Sequence, residues 1–353
     1  MLRTSFLFVL FLLSSCGREP LYHSQSYVFG TLVDISIYGE SDEHARQIAD
    51  HIQQSFQSLH NRLHAWKPIS ANQMSELQQL NTAFEKANNP INISPDLAAI
   101  IADASQLSQK SKGLFNPAIG HLISTWGFER DEFTPVNVDA SSIKSWVDAQ
   151  PAMSDIVING NTAYTTNPAV KLDLGGYAKG YALDIAAEYL RKQGVKNALI
   201  NIGGNVIALG KHGDNAWRVG IQHPRQPSAM ATIDLDDGWA VGTSGDYQRF
   251  FMLNGQRYCH IINPHTGYPT QHTQSVTVLV PPQPANQTQA GVLSDVASKP
   301  IFIETPNHRN QAASAFGIEN FMVIDEKSNI FVSKKMTSKL HWLTPNVQFT
   351  AIN

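Results

Sequence analysis

Cysteine is nearly absent from this chain: two residues in 353, Cys16 and Cys259. With Cys16 consumed by the processing that its surroundings suggest, no intramolecular disulfide can form, even in an oxidising compartment. Surplus charge is missing as well. Lys and Arg total 26 against 29 Asp and Glu, a formal net charge of −3. There is no basic footprint, which argues against a nucleic-acid partner. No low-complexity segment and no repeat of fixed period is found. The apolar run from Phe6 to Leu13 is too short to span a bilayer as a stable helix.

What that run does resemble is a secretory signal. It follows a single Arg and leads directly into Leu13-Ser-Ser-Cys16. A Leu, two small residues and a Cys at such a position resemble the bacterial lipobox, in which the Cys becomes the lipidated mature N-terminus. Residues 1–15 are therefore expected to be removed. The remainder is expected in the periplasm, anchored through Cys16 to an envelope membrane. Gly17 rather than Asp after the Cys favours the outer membrane. The polar stretch up to Gln25 reads as a tether, residues 16–25. Residues 26–350 are long enough for two average domains or one large one, with ample material for a core.

Periodicity in that body points to an α+β fold, with mixed or antiparallel sheets flanked by helices. Tyr27 to Tyr38 alternates as one strand. Ser41, Asp42 and Glu43 open a helix whose apolar stripe is Ile48, Ile52, Phe56, Leu59 and Leu63. Ser75 to Leu80 predicts a short helix, and Ser94-Pro95-Asp96 starts another that stops at Gly113. Asp155 to Thr165 is a hairpin turning at Asn159-Gly160. Short strands follow at Ala198–Ile202, Trp217–Ile221, Ala231–Leu235, Arg257–Ile262 and Ser275–Val280. Ala290 to Phe302 has helical character, with Pro300 awkward inside it. Phe321–Asp325 and Ile330–Ser333 form a last hairpin.

The chain is organised around Leu172-Asp-Leu-Gly-Gly-Tyr-Ala-Lys-Gly-Tyr-Ala-Leu-Asp184. Val170 to Leu174 reads as a strand end, Gly175-Gly176 as a turn, and Ala178 onward as a helix running to Gly194. A glycine turn that opens a helix presents bare N–H groups and a positive dipole end, which suit an anion. Lys179 adds a cation. The spacing is neither a Walker A loop nor GxGxxG. An ordinary turn with glycines at positive φ accounts for these residues equally well. Three further small-residue turns follow predicted strands: Gly203-Gly204, Thr243-Ser-Gly245 and Pro264-His-Thr-Gly267. The hydroxyls of Thr243 and Ser244 together with Lys179 suit a diphosphate. His260 is expected to titrate near neutrality, the range useful for acid–base work. Asp295 and Ser298, three apart on one helix face, offer hard oxygens to Mg²⁺.

In their order and spacing these motifs resemble the ApbE-type FAD:protein FMN transferases, bacterial flavin transferases. The resemblance rests on Phe29-Gly-Thr31, Trp66, Leu114-Phe-Asn-Pro117 with Trp126-Gly-Phe128, and Asp173 through Asp184. It continues through Asn201-Ile-Gly-Gly204, Thr243-Ser-Gly-Asp-Tyr247, His260-Ile-Ile-Asn-Pro-His-Thr-Gly267 and Asp295. It implies that FAD is cleaved at its diphosphate, with the FMN half joined through phosphate to a Thr or Ser hydroxyl of a target protein and AMP released. It further implies FAD contacts at Phe29, Trp66, Leu114, Phe115, Asn116, Asp173, Lys179 and the Ile262 backbone, to which the chemistry of the residues themselves adds Thr243, Ser244 and Gly245. His260 would be the base, and Asp295 would act with an Mg²⁺ held by the Gly176 carbonyl, Asp295 and Ser298.

Three positions depart from the family pattern: Phe29 for a usual Met, Asn116 for a usual acid, and Lys299 where the metal-binding Thr usually stands. Lysine cannot be an oxygen ligand. Lys299 either points away, becomes neutral and leaves a weakly held Mg²⁺ on Asp295 and Ser298, or takes the metal's place. An Mg²⁺-dependent FMN transferase is the expected activity. An FAD-binding lipoprotein with little or no transfer is the alternative, and a structural envelope lipoprotein is a third.

Overall fold

The computed structural model describes residues 21–130 and 132–353. The signal sequence, Cys16 and the first part of the tether lie outside the described residues. The chain opens with a hairpin of β1 (Leu21–Val28) and β2 (Thr31–Tyr38). The sequence suggested a single strand from Tyr27 and a polar tether up to Gln25. Instead, β1 pairs in register along its whole length, from Leu21 opposite Tyr38 to Val28 opposite Thr31. The two-residue turn was hidden because one of its residues is Phe29, at φ 56°, followed by Gly30 at φ 71°. Positive φ at both positions matches the twist of a tight hairpin, but a bulky side chain rarely accepts it.

Three helices follow with side-chain caps. They are α1 (Asp42–Leu63) behind Ser41, α2 (Glu76–Phe84) behind Ser75 and α3 (Pro95–Lys110) behind Ser94. Between the last two lies the short β3 (Ile91–Asn92). Beyond them come α4 (Gly120–Thr125) and α5 (Ala140–Asp148), then the hairpin of β4 (Ile156–Asn159) and β5 (Thr162–Thr165). This hairpin turns at Gly160-Asn161, one residue later than expected. Val170 to Leu174 is not a ladder strand; Lys171 makes only an isolated bridge to Ile119. Then come α6 (Ala178–Lys192), β6 (Asn197–Ile202), β7 (Asn205–Leu209), β8 (Trp217–Gln222), β9 (Ala229–Leu235) and β10 (Ala240–Gly245). The hairpin of β11 (Phe250–Leu253) and β12 (Gln256–Cys259) leads to β13 (Thr273–Val280) and α7 (Ala290–Ile303). His260 thus lies just past its strand. The chain closes with α8 (Arg309–Ala315), β14 (Asn320–Asp325), β15 (Ile330–Ser333), α9 (Lys334–Thr337), β16 (Leu340–Trp342) and β17 (Thr350–Ile352).

Among the described residues the main sheet has nine strands in the order β1-β2-β6-β7-β10-β13-β14-β15-β17. Its pairs are antiparallel except β15 with β17. Its central strands are covered on both sides. Val276, Val278, Phe321 and Val323 join one apolar core with the helices, while Val241, Leu279, Met322 and Ile324 join another with β8 and β9. This explains why β13 is buried at every residue instead of at alternate ones. A third, aromatic core gathers Trp126, Phe128, Phe251 and Ile262. The architecture is the α+β arrangement expected, with antiparallel sheets flanked by helices.

Candidate active site

Close backbone packing assembles the site. α6 and α7 cross where both lack a side chain. A Cβ on Gly180 would stand 2.5 Å from the Gly291 carbonyl oxygen, and one on Gly291 would stand 2.6 Å from that of Gly180. On its other side α7 presses on β10, where a Cβ on Gly242 would meet the Ser294 carbonyl at 2.4 Å. The N-terminus of α7 has no cap from its own side chains. Asp184 of α6 supplies one, accepting from the Gly291 and Val292 N–H groups at 2.7 and 2.8 Å. Burial lifts the Asp184 carboxyl to about 7, against the pull of these two bonds. Pro300 does not end α7, which runs on to Ile303. It only withholds the donor that the Val296 carbonyl would otherwise receive.

This crossing places Asp295 in a buried ion cluster. Lys299 Nζ lies 2.7 Å from Asp295 Oδ1, and Lys179 Nζ lies 3.9 Å from Oδ2. Oδ2 also accepts from the Gly180 N–H at 3.1 Å. Lys299 donates a second bond to the Asp295 main-chain oxygen at 2.7 Å, and Lys179 reaches the Gly175 carbonyl at 3.3 Å. Burial opposes charge on Asp295, but the ammonium groups of Lys179 and Lys299 and the donated bonds outweigh it, holding the carboxyl below its ordinary value. Burial lowers Lys299, and Asp295 restores part of that loss. Ser298 shares a hydroxyl bond of 2.7 Å with Ser244 and donates to the Asp295 carbonyl at 2.8 Å.

The glycines of the central turn are not there for positive φ, which neither adopts. They are there for clearance. A Cβ on Gly176 would stand 2.9 Å from Lys299 Cε and 3.6 Å from the Phe115 ring, and one on Gly175 would stand 2.9 Å from Asp173 Oδ1. The Lys299 stem therefore lies directly on the turn.

These contacts decide the expected Mg²⁺ set of Gly176, Asp295, Ser298 and Lys299, and the residues do not fit it. The ammonium of Lys299 holds two Asp295 oxygens, and Ser298 is engaged with Ser244 and the backbone. Among the described residues no group of three His, Cys, Asp or Glu side chains could hold a metal. A dication about 4 Å from that ammonium would be repelled by about 8 kcal/mol at an effective dielectric of about 20. Lys299 neither points away nor leaves room.

Around this cluster, Asp173 accepts from Trp66 Nε1 and from the Gly175 N–H, both at 2.7 Å. Lys171 lies 4.7 Å from the Trp66 ring centre. The sequence carried no signal for that cation–π contact, because the two residues are far apart in the chain. Phe29 packs on Phe56 and edge-on to His60. Phe115 is buried and Leu114 packs against the main core. Asn116 is engaged in structure, donating to the Pro151 carbonyl at 2.8 Å and accepting from the Ala118 N–H at 3.0 Å. Ile262 is buried in the aromatic core and bridges to Pro269.

Thr243 and Ser244 do not converge on one ligand. They are consecutive in β10 rather than in a turn, so their side chains leave opposite faces. Ser244 faces Ser298. Thr243 bonds Thr277 at 2.9 Å and lines a cavity of about 160 Å³ with Asn201, Gly204 and Ile233. Gly245 makes room for the Tyr247 ring. The Gly203-Gly204 turn meets Thr31 of the first hairpin, and Gly267 accepts from Trp126 Nε1 at 2.7 Å.

His260 is half-buried and edge-on to Phe128. Its Nδ1 faces the Arg249 carbonyl at 3.3 Å. A carbonyl only accepts, so the proton sits on Nδ1 and Nε2 keeps its lone pair. Burial, then the charges of Arg249, Lys179 and Lys299, hold the imidazole well below its ordinary value. It is a neutral ring with a free base atom, within the field of the ion cluster.

Comparison with known proteins bears on the fold and the family. The model of the ApbE family matches residues 29–321. An "FAD:protein FMN transferase" of Rhodobacter capsulatus is 36% identical over 317 residues, 89% of this chain and 57% of that protein. One from Haemophilus influenzae is 30% identical over 272 residues, 75% of each chain. The chain thus spans little more than half the length of the first relative. The crystal structure of the ApbE protein from Thermotoga maritima superposes with a TM-score of 0.78 at 26% identity, covering 91% of this chain and 99% of that one. With its motifs, its fold and the match over most of its length in agreement, this chain belongs to the ApbE family.

Proposed function

We propose that this chain is an FAD:protein FMN transferase that joins FMN to a Thr or Ser hydroxyl of a target protein and releases AMP. The observation that carries this reading is the Lys179–Asp295–Lys299 cluster at the start of α6. It is a buried carboxylate between two half-buried ammonium groups, with one positive charge in excess, set beside Trp66 and Asp173. Cations fixed in a low-dielectric site suit a diphosphate and the charge that shifts when it is split. Trp66 and Phe29 offer ring faces to the flavin or the adenine.

In the reaction, the hydroxyl oxygen attacks the FMN-side phosphorus. The bond from that phosphorus to the bridging oxygen breaks, and AMP departs with the oxygen. The hydroxyl proton passes to Nε2 of His260 and then to water. We further propose that the protein works in the periplasm, held at an envelope membrane by a lipidated Cys16. Binding of FAD without transfer is the second reading, favoured by the salt bridge of Lys299 to Asp295.

Purified protein incubated with FAD and with envelope proteins from a strain lacking it tests both. Flavin that stays on a protein band through denaturing electrophoresis, together with AMP, supports transfer. Bound FAD with no AMP supports the second reading, and absence of FAD binding overturns both.

A further inference from the structure

The charge balance at Asp295 carries one step more, resting on the transferase reading. An ammonium has three protons to donate. Lys299 gives two to Asp295, one to the carboxylate and one to the main-chain oxygen, each at 2.7 Å. The third has no partner among the described residues. Yet the side chain is only 17% exposed, and its stem is fixed on Gly176. A half-buried cation with a spare donor, its stem held on the turn and a second ammonium on the same carboxylate, is a site short of an anion.

We propose that the Lys299 ammonium stands where a divalent ion would otherwise sit, and that with Lys179 it takes the FAD diphosphate directly, so that FAD binding and FMN transfer need no metal. The diphosphate carries two negative charges. Lys179 and Lys299 supply two positive ones, of which the Asp295 carboxylate offsets one while orienting both, so the occupied site keeps a single net negative charge. The two ammonium groups reach the phosphate oxygens as hydrogen-bond donors. The covalent step is unchanged: the acceptor oxygen bonds to the FMN phosphorus, the bridging P–O bond breaks toward AMP, and the proton leaves through His260. What changes is that no inner-sphere metal bond forms or breaks.

Quenching of flavin fluorescence measures FAD binding to the full chain in EDTA and in millimolar Mg²⁺, and chromatography measures AMP once envelope proteins from a strain lacking the protein are added as acceptors. Wild type should bind FAD and release AMP equally in the two media, within about twofold. Lys299→Thr should lose at least about tenfold in FAD affinity in EDTA and regain it with Mg²⁺. Wild-type binding or AMP release that rises tenfold with Mg²⁺ overturns the proposal, and needs no variant that might misfold. So does Lys299→Thr that binds FAD in EDTA as wild type does. Wild type that binds FAD equally in both media but releases no AMP overturns the transfer reading and leaves the ammonium site supported. Wild type that binds FAD in neither medium overturns both.

Discussion

In the proposed reaction, Lys179 and His260 divide the chemistry between charge and proton. Lys179 is the more open of the two ammonium groups and carries a charge-assisted contact to the diphosphate in the proposed complex. Lys179→Ala should weaken FAD binding by about 1.5–3 kcal/mol, measurable by fluorescence titration. His260→Ala should leave FAD binding near wild type and slow AMP release by about 10²–10⁴-fold. The lowered basicity of His260 gives this base a particular pH signature. Because it stays neutral well below 6.5, transfer should hold its rate as pH falls from about 8 to 6.5 and decline only further down. A rate that halves near 6.5 would show an unperturbed imidazole. Phe29 belongs at this scale too. A bulky residue held at φ 56° costs of order 1–3 kcal/mol, and the packing on Phe56 and His60 sustains it.

The α6–α7 crossing is the element on which the site depends. Gly180→Ala drives a methyl into the Gly291 carbonyl and Val292 Cα, so α7 must shift and carry Asp295 with it. We expect a loss of about 1–3 kcal/mol by denaturant unfolding and a larger loss of FAD binding than any surface change produces. The Asp184 cap adds a pH term. Its carboxyl sits at about 7 in the folded chain against an ordinary 3.8, so the native state holds the proton more tightly than the unfolded one. Stability from this group is full at pH below 3.8 and is lost as pH rises toward 7. Thermal unfolding from about pH 4 to 7 should show that decline in wild type and a flatter profile in Asp184→Asn.

Much of this level was legible in the sequence. Ser41 and Ser94 announced their helices because a cap and a periodic stripe are local signals. The Gly175-Gly176 turn and the helix after it were legible for the same reason. The first hairpin was not, since Phe29 disguises the turn. Nor was the division of Thr243 from Ser244, which depends on β10 continuing where the composition suggested a loop. The salt bridge of Lys299 could be posed as one option but not settled. Its outcome depends on how closely α7 approaches Gly176, and two remote glycines fix that distance.

For the whole molecule, the central strands of the main sheet are covered on both faces, and the site lies at a seam between two helices and one of those strands. Cys259 is buried, and burial pushes the thiol up to about 12, so it is inert as a nucleophile. The anchor at Cys16 is expected to be the only cysteine chemistry. Cys16→Ala should accumulate as unprocessed precursor, seen as a slower band in pulse labelling; normal processing and membrane partition of that variant would refute the lipid anchor.

The early start of β1 sets a limit on reach. Strand pairing already holds Leu21, so only Gly17 to Pro20 separate a lipidated Cys16 from the folded body. Four residues span at most about 14 Å even when fully drawn out. In the proposed lipidated form, an enzyme on so short a leash would not patrol the compartment. Its targets would have to come to it, as proteins themselves seated in the same membrane or passing close over its surface.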